Sequence, residues 1–163
     1  NFMKHNNLYN TLLQLSRNIF FYNKTQLKDN FETRIYLMFI HFSIIMLIYK
    51  KKGSKFDQSS YDNLFNNIEN NLREMGFGDV TVNKKMKELN KILYDILLKI
   101  DLKKASNEEF HLNNDIISKY FDELKGINSE KLKILDNYFN KFYHFCFELP
   151  LNNMVDRVKF FEL

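Results

Sequence analysis

The run from Ile35 to Tyr49 constrains the fold more than any other part of the chain. It is apolar nearly all round, carrying only His41 and Ser43 as clearly polar groups, with Glu32 and Arg34 just upstream. A helix without a polar face must be buried, by other helices or by lipid. The apolar run is shorter than the roughly 20 residues a bilayer requires. The sequence therefore predicts a central core helix, about Phe31 to Lys52, wrapped by the first, third and fourth helices. Lys50, Lys51 and Lys52 fall in its last turn, where cations suit the helix dipole, and Gly53 supplies a stop.

The flanking segments carry the stripes such a helix needs. Leu8, Leu12, Leu15 and Ile19 recur at helical spacing and predict a first helix over about Asn6 to Ile19, followed by a polar stretch, Asn23 to Asn30. Asp57 or Ser59 can cap a third helix with the stripe Tyr61, Leu64, Phe65, Ile68, Leu72 and Met75. Gly76 fits its C′ position, and Gly76 and Gly78 are both expected in conformations that a β-carbon resists. A fourth helix starts near Thr81, with Val82, Met86, Leu89, Leu93, Ile96, Leu97 and Ile100 on one side and Lys84, Lys87 and Lys91 on the other. A fifth is expected over Asn107 to Leu124, broken by Lys125-Gly-Ile-Asn128. A sixth runs from Ser129 to before Pro150 and is apolar on two sides. Asp156 to Phe161 alternates with period two and predicts a short extended tail laid on the bundle. The fold class is all-α: one domain over residues 1–163, a bundle of about six helices around the buried second.

Composition agrees. Four Gly and one Pro are too few for the turns of a β-sandwich. Seventeen Phe and nine Tyr are enough for a ring-rich core, with some rings left to line a partner surface. A net charge of +4 is mildly basic, short of a dedicated nucleic-acid binder, so no DNA partner is expected; an anionic membrane surface or ribosomal RNA is compatible. One cysteine excludes an intramolecular disulfide, which suits a reducing compartment. The four histidines lie far apart, so no metal and no cofactor is expected.

Catalytic signals are thin. Glu74 and Asp79 could pair for acid–base work, but Asp79 is better read as a helix cap and Glu74 as a solvated last-turn residue. Gly76-Phe-Gly78 lacks the Gly-Lys-Ser/Thr of a phosphate loop. Cys146 and His144, two apart, occupy different helix faces. His41 reads as a hydrogen-bonded core histidine. Lys84, Lys85, Lys87 and Lys91 could hold phosphates, although no aromatic residues alternate with them.

Between the third and fourth helices the chain reads Leu72-Arg-Glu-Met-Gly-Phe-Gly-Asp-Val-Thr-Val-Asn-Lys-Lys-Met-Lys-Glu-Leu89. This resembles the central signature of the ubiquinol–cytochrome c chaperone family, Leu-Arg-Glu-Met-Gly-Val-Gly-Asp followed by Val-Gly-Lys. Leu8-Tyr9 with Ser16-Arg17 and Phe21-Tyr22 is similar to the family's opening helix. Asp29, Phe31 and Arg34-Ile-Tyr resemble its entry to the second helix, and Ile40-His41-Phe42 its Leu-His. The resemblance covers Leu8 to Leu98. Thr33 and Asn83 stand where the family has glycine.

The resemblance implies an all-helical, non-enzymatic factor that helps newly made cytochrome b into ubiquinol–cytochrome c reductase. Family members in mitochondria pair with a small helical partner and work at the ribosome beside the inner membrane. The short chain and the lack of a transit-type leader are read as a bacterial member, cytoplasmic and peripheral at the inner membrane; the matrix face of the mitochondrial inner membrane is the alternative. Arg73, Glu74, Phe77, Asp79, Lys84 and Lys85 are the expected partner-binding residues, with Tyr138 and Phe145 on the sixth helix as a second candidate surface. The rival reading is a basic helical module that binds RNA or a lipid surface.

Overall fold

A computed structural model describes residues 2–103, 109–124 and 129–163. Among these residues the secondary structure is entirely helical. The longer elements are α1 (Phe2–Ser16), α3 (Phe31–Lys51), α4 (Gln58–Glu74), α5 (Asp79–Lys103) and α7 (Ser129–Phe147). The short ones are α2 (Phe20–Asn23), α6 (Asn114–Tyr120) and α8 (Met154–Arg157), with single 3₁₀ turns at Asp122–Leu124, Leu151–Asn153 and Val158–Phe160.

The predicted core helix is α3, with a run of buried side chains from Leu37 to Ile48 broken only by Met46. At 21 residues it is long and apolar enough to cross a membrane, but 72% of its most apolar window is buried inside the bundle. Burial, more than length, identifies it as a core helix. Asn30 starts it by accepting the Thr33 N–H at 2.9 Å. The α1, α5 and α7 backbones pack directly against it, while α4 lies over α1 and α5. Rings carry α4 to the core helix: Phe65 stacks on Phe39 at 5.8 Å and Tyr61 tilts over Phe42 at 5.8 Å. The wrapping thus includes α7, which the periodicity alone did not place.

The C-terminus of α3 is tied to its neighbours by the three lysines. Lys50 pairs with Asp101 of α5 at 3.0 Å. Lys51 donates to the Tyr143 hydroxyl at 2.9 Å. Lys52 donates to the carbonyls of Phe147 and Leu149 at 2.6 and 3.1 Å, so it also caps the end of α7.

Three expectations need correction. The tail is not extended: α8 and the turn after it place Met154, Val158 and Phe161 inward, a helical i, i+4, i+7 spacing, while Phe160 faces out. The fifth helix is shorter than predicted. Its start at Asn107 and its break at residues 125–128 lie outside the described residues. From 109 to 113 the chain is a strap across α7, held by the Leu112 N–H to Asp136 at 2.6 Å and by Asn140 Nδ2 to the Phe110 carbonyl at 2.9 Å. Those bonds engage backbone groups that a helix would need, so α6 begins only after Asn113, which caps it. Gly78, finally, does not have positive φ.

Gly76 does, at +97°, while Gly78 does not, and no atom lies within 4 Å of a β-carbon built on either. Gly76→Ala is therefore expected to cost about 1 kcal/mol through backbone strain, and Gly78→Ser no more than about 0.5 kcal/mol. Denaturant midpoints of the two variants check the contrast; equal midpoints would remove the case for Gly76 as the helix terminator.

Candidate functional site

The family-like stretch forms the tip of a helical hairpin. Helix α4 ends as the Met75 and Gly76 N–H groups donate to Asn71 and Arg73 carbonyls, both at 3.0 Å. Gly76 reverses the chain, Phe77 turns inward, and α5 begins at Asp79. Asp79 does not serve as the side-chain cap that the sequence suggested; its carboxylate bonds to Arg73 across the turn. Glu69 flanks the same guanidinium at 3.7 Å.

Most of the predicted residues are exposed at or near the tip. Arg73, Glu74, Asp79 and Lys84 are exposed, and Lys85 is half-buried, its ammonium 4.9 Å from the centre of the Phe77 ring. Phe77 itself packs against the core and offers only part of its face. Two apolar residues complete the surface. Met75, expected in the buried α4 stripe, is 49% exposed, and Val80 is 84% exposed. Val80 is not among the expected residues, yet its position is informative. It stands two residues before Val82, on the opposite side of α5 from the buried stripe, where an apolar residue has no core to serve.

The second candidate surface does not form. Tyr138 is 1% exposed. Its ring stacks on Phe20 and meets Phe21, Phe139 and Phe161 edge-on, with centroids 4.7 to 5.4 Å away. Phe145 is half-buried, with Phe161 5.4 Å from it. Rings of α7 meet α3 at His41, α2 at Phe20 and Phe21, and the C-terminal turns at Phe161.

Tyr138 instead completes a buried polar pair. His41, fully buried, donates from Nδ1 to the Leu37 carbonyl at 2.6 Å and accepts the Tyr138 hydroxyl at Nε2 at 2.8 Å. Phe21, Phe139 and Phe142 surround the imidazole. Burial drives its pKa down to about 4, only partly opposed by the Leu37 hydrogen bond, so the ring is neutral at pH 7. The core-histidine reading holds, and both ring nitrogens are spent on structure. Burial likewise pushes the Cys146 thiol well above its ordinary range. Among the described residues no group of three His, Cys, Asp or Glu side chains could hold a metal.

At the other end of the hairpin a groove of about 710 Å³ opens between α3, the start of α4 and the second half of α5. Met46, Leu47, Phe56, Leu97 and Ile100 line it, and Tyr94 and Leu98, both more than 60% exposed, form its outer wall. Lys50, Lys55, Gln58 and Asp101 stand around it. The Ser43 hydroxyl is buried in its wall without a hydrogen bond. Burial, and then a hydrogen bond with Tyr94, push the Tyr61 phenol above its ordinary range.

Compared with known proteins, residues 23–123 match the family model described as Ubiquinol-cytochrome C chaperone. That span includes the core helix, the hairpin and its tip. No curated protein and no solved structure matches the chain.

Proposed function

This chain belongs to the ubiquinol–cytochrome c chaperone family, and we propose from that membership that it binds newly made cytochrome b during assembly of the reductase. The family implies a non-enzymatic chaperone. The contact surface is the hairpin tip, and the observation that carries this is the exposure of Met75 and Val80 in the same stretch that exposes Arg73, Glu74, Asp79 and Lys84. Apolar anchors with a charged rim are the usual anatomy of a protein interface, the rim setting approach and register and the anchors holding the partner. In this reading the protein works at the membrane face where its client is made, in the bacterial cytoplasm or the mitochondrial matrix. A small helical partner or the ribosome would supply further contacts.

The test is co-purification of cytochrome b with tagged chain. Met75→Ser with Val80→Ser removes the anchors, and Arg73→Ala with Lys84→Ala removes the rim. All four side chains are exposed, so each change should move stability by no more than about 0.5 kcal/mol. Both double variants should fold. The anchor variant should lose about tenfold or more of the recovered cytochrome b, an effect of the size expected for interface anchors. Full recovery with a folded anchor variant, and normal reductase assembly in a deletion strain, would make the tip architecture alone.

A further inference from the structure

Helix α5 gives one face to the core and the opposite face to solvent. Val82, Leu89, Leu93, Ile96 and Ile100 are buried. On the other side Val80, Lys84, Lys87, Lys91, Tyr94 and Leu98 are all exposed. At 3.6 residues per turn their spacing holds all six within about 40° of one direction, along roughly 27 Å of helix. We propose that this line is a membrane-docking face, its lysines set among the phosphates of an anionic bilayer surface and Val80, Tyr94 and Leu98 dipping below them. The proposal does not rest on the chaperone reading, although Val80 and Lys84 also belong to the tip.

The lysines are unspent. Among the described residues Lys84, Lys87 and Lys91 have no ion pair and no hydrogen bond. The carboxylates of α5 lie off the line, and three of them are engaged: Asp79 by Arg73, Asp95 by Lys99 and Lys119, and Asp101 by Lys50. On the neighbouring α4, Glu69 flanks Arg73 and Asp62 accepts from Gln58. Glu88 stands about 80° from the line and is outnumbered by the lysines around it. The face is therefore complementary to negative charge.

The apolar residues on the same line narrow the partner. Val80, Tyr94 and Leu98 are 84%, 62% and 61% exposed. A merely solvated lysine face has no use for them. A bilayer surface uses both kinds of residue: cations meet lipid phosphates, tyrosine sits at headgroup level, and aliphatic side chains reach the acyl boundary. A partner helix laid along this line would cover three successive lysines and strip water from their charges. The headgroup layer leaves the ammonium groups hydrated while their stems lie along apolar surface. A nucleic acid would answer the lysines but not Val80 and Leu98, and no aromatic residue interrupts Lys84 to Lys91 as a stacking platform would need.

The test floats the full chain with vesicles of an equal phosphatidylcholine–phosphatidylglycerol mixture. Binding should weaken about a hundredfold on pure phosphatidylcholine, and about thirtyfold or more for Lys87→Glu with Lys91→Glu, since each surface lysine contributes about fivefold. Both lysines are exposed and lie outside the tip, so the melting temperature should not move. The chain has no tryptophan, so a single introduced one reports on its own surroundings. Emission from Val80→Trp and from Leu98→Trp should shift to the blue on the anionic vesicles. Ile19→Trp, at an exposed position between α1 and α2, should not shift. Equal binding to the two vesicles, or full binding by the lysine variant, overturns the proposal. So does a shift at Ile19→Trp without one on α5, which would put another face on the membrane, or tighter binding to transfer RNA than to the vesicles. Absence of vesicle binding also overturns it, and leaves the cytochrome b co-purification to succeed or fail by itself.

Discussion

Replacing Tyr138 with alanine is expected to cost the fold about 3–5 kcal/mol, roughly a fifth or more of the stability of a typical domain. The ring is packed on four phenyl rings and the His41 imidazole, and its removal leaves a hole among Phe20, Phe21, Phe139 and Phe161 that rigid aromatic neighbours cannot easily close. It also takes away the hydroxyl that satisfies His41 Nε2. Tyr138→Phe separates the two effects. It keeps the ring and orphans the imidazole nitrogen, and should cost about 1–3 kcal/mol. Urea unfolding followed by circular dichroism measures both. If Tyr138→Phe matched the parent midpoint, the His41–Tyr138 bond would be contributing nothing to the fold.

Acidification should destabilise the protein through the same pair. In the unfolded chain His41 takes its proton near pH 6.5; in the folded one burial holds the pKa down to about 4. The unfolded state therefore binds more protons between these values, and stability falls as pH falls through that window. Stability from this group is complete above 6.5, declines below it, and levels off below about 4. The gap corresponds to about 3 kcal/mol. Two other groups are distinguishable. Hydrogen bonds from Lys99, Tyr120 and Lys119 outweigh burial and hold Asp95 down to about 2, so its loss comes only below its ordinary 3.8. His111, raised mainly by its bond to Asp136, acts in the opposite sense, its contribution fading as pH rises. His41→Leu provides the control: destabilised throughout by the orphaned Tyr138 hydroxyl, it should lose the slope between pH 6.5 and 4. A slope that survives this substitution would place the titration elsewhere.

Much of the architecture was legible because two periodicities were unambiguous. The featureless apolar run could only be an interior helix, and the α4 and α5 stripes, with Asp57 as cap and Gly76 as terminator, could only be a hairpin. The local chemistry was sufficient there: Asp57 accepts from the Ser60 backbone and hydroxyl, and Gly76 has the φ that the reversal requires. Where the pattern was two-sided it failed. With apolar residues on opposite faces, α7 carries no internal statement of which face meets the core, and Tyr138 was offered to a partner when both faces were covered. The tail failed for a different reason. Alternation over six residues and helical spacing over eight fit the same letters, and the deciding residue, Met154, lies before the alternating stretch. The tip was readable as a location, but its anchors were not, because Met75 falls in phase with a buried stripe that has run past the core. The groove had no sequence signal at all. Its walls come from three helices, and only their packing brings Ser43, Tyr61 and Leu97 around one space.

The closing contacts of the core join residues made long apart. His41 and Tyr138 are 97 positions apart, Tyr49 reaches the Leu151 carbonyl over 102, and α1 packs on α8 and the turn after it. At a synthesis rate of about 5–20 residues per second, α3 exists for roughly 5–20 seconds before α7 can cover it. The α4–α5 hairpin needs only neighbouring residues and can form meanwhile, but it shields one side alone. For that interval the most apolar segment of the chain is exposed to whatever is nearby. Synthesis rate and the local crowd of other nascent chains then govern the yield of folded protein as much as the final stability does, and slowing elongation through residues 104–130 should lengthen the exposure and lower the soluble yield.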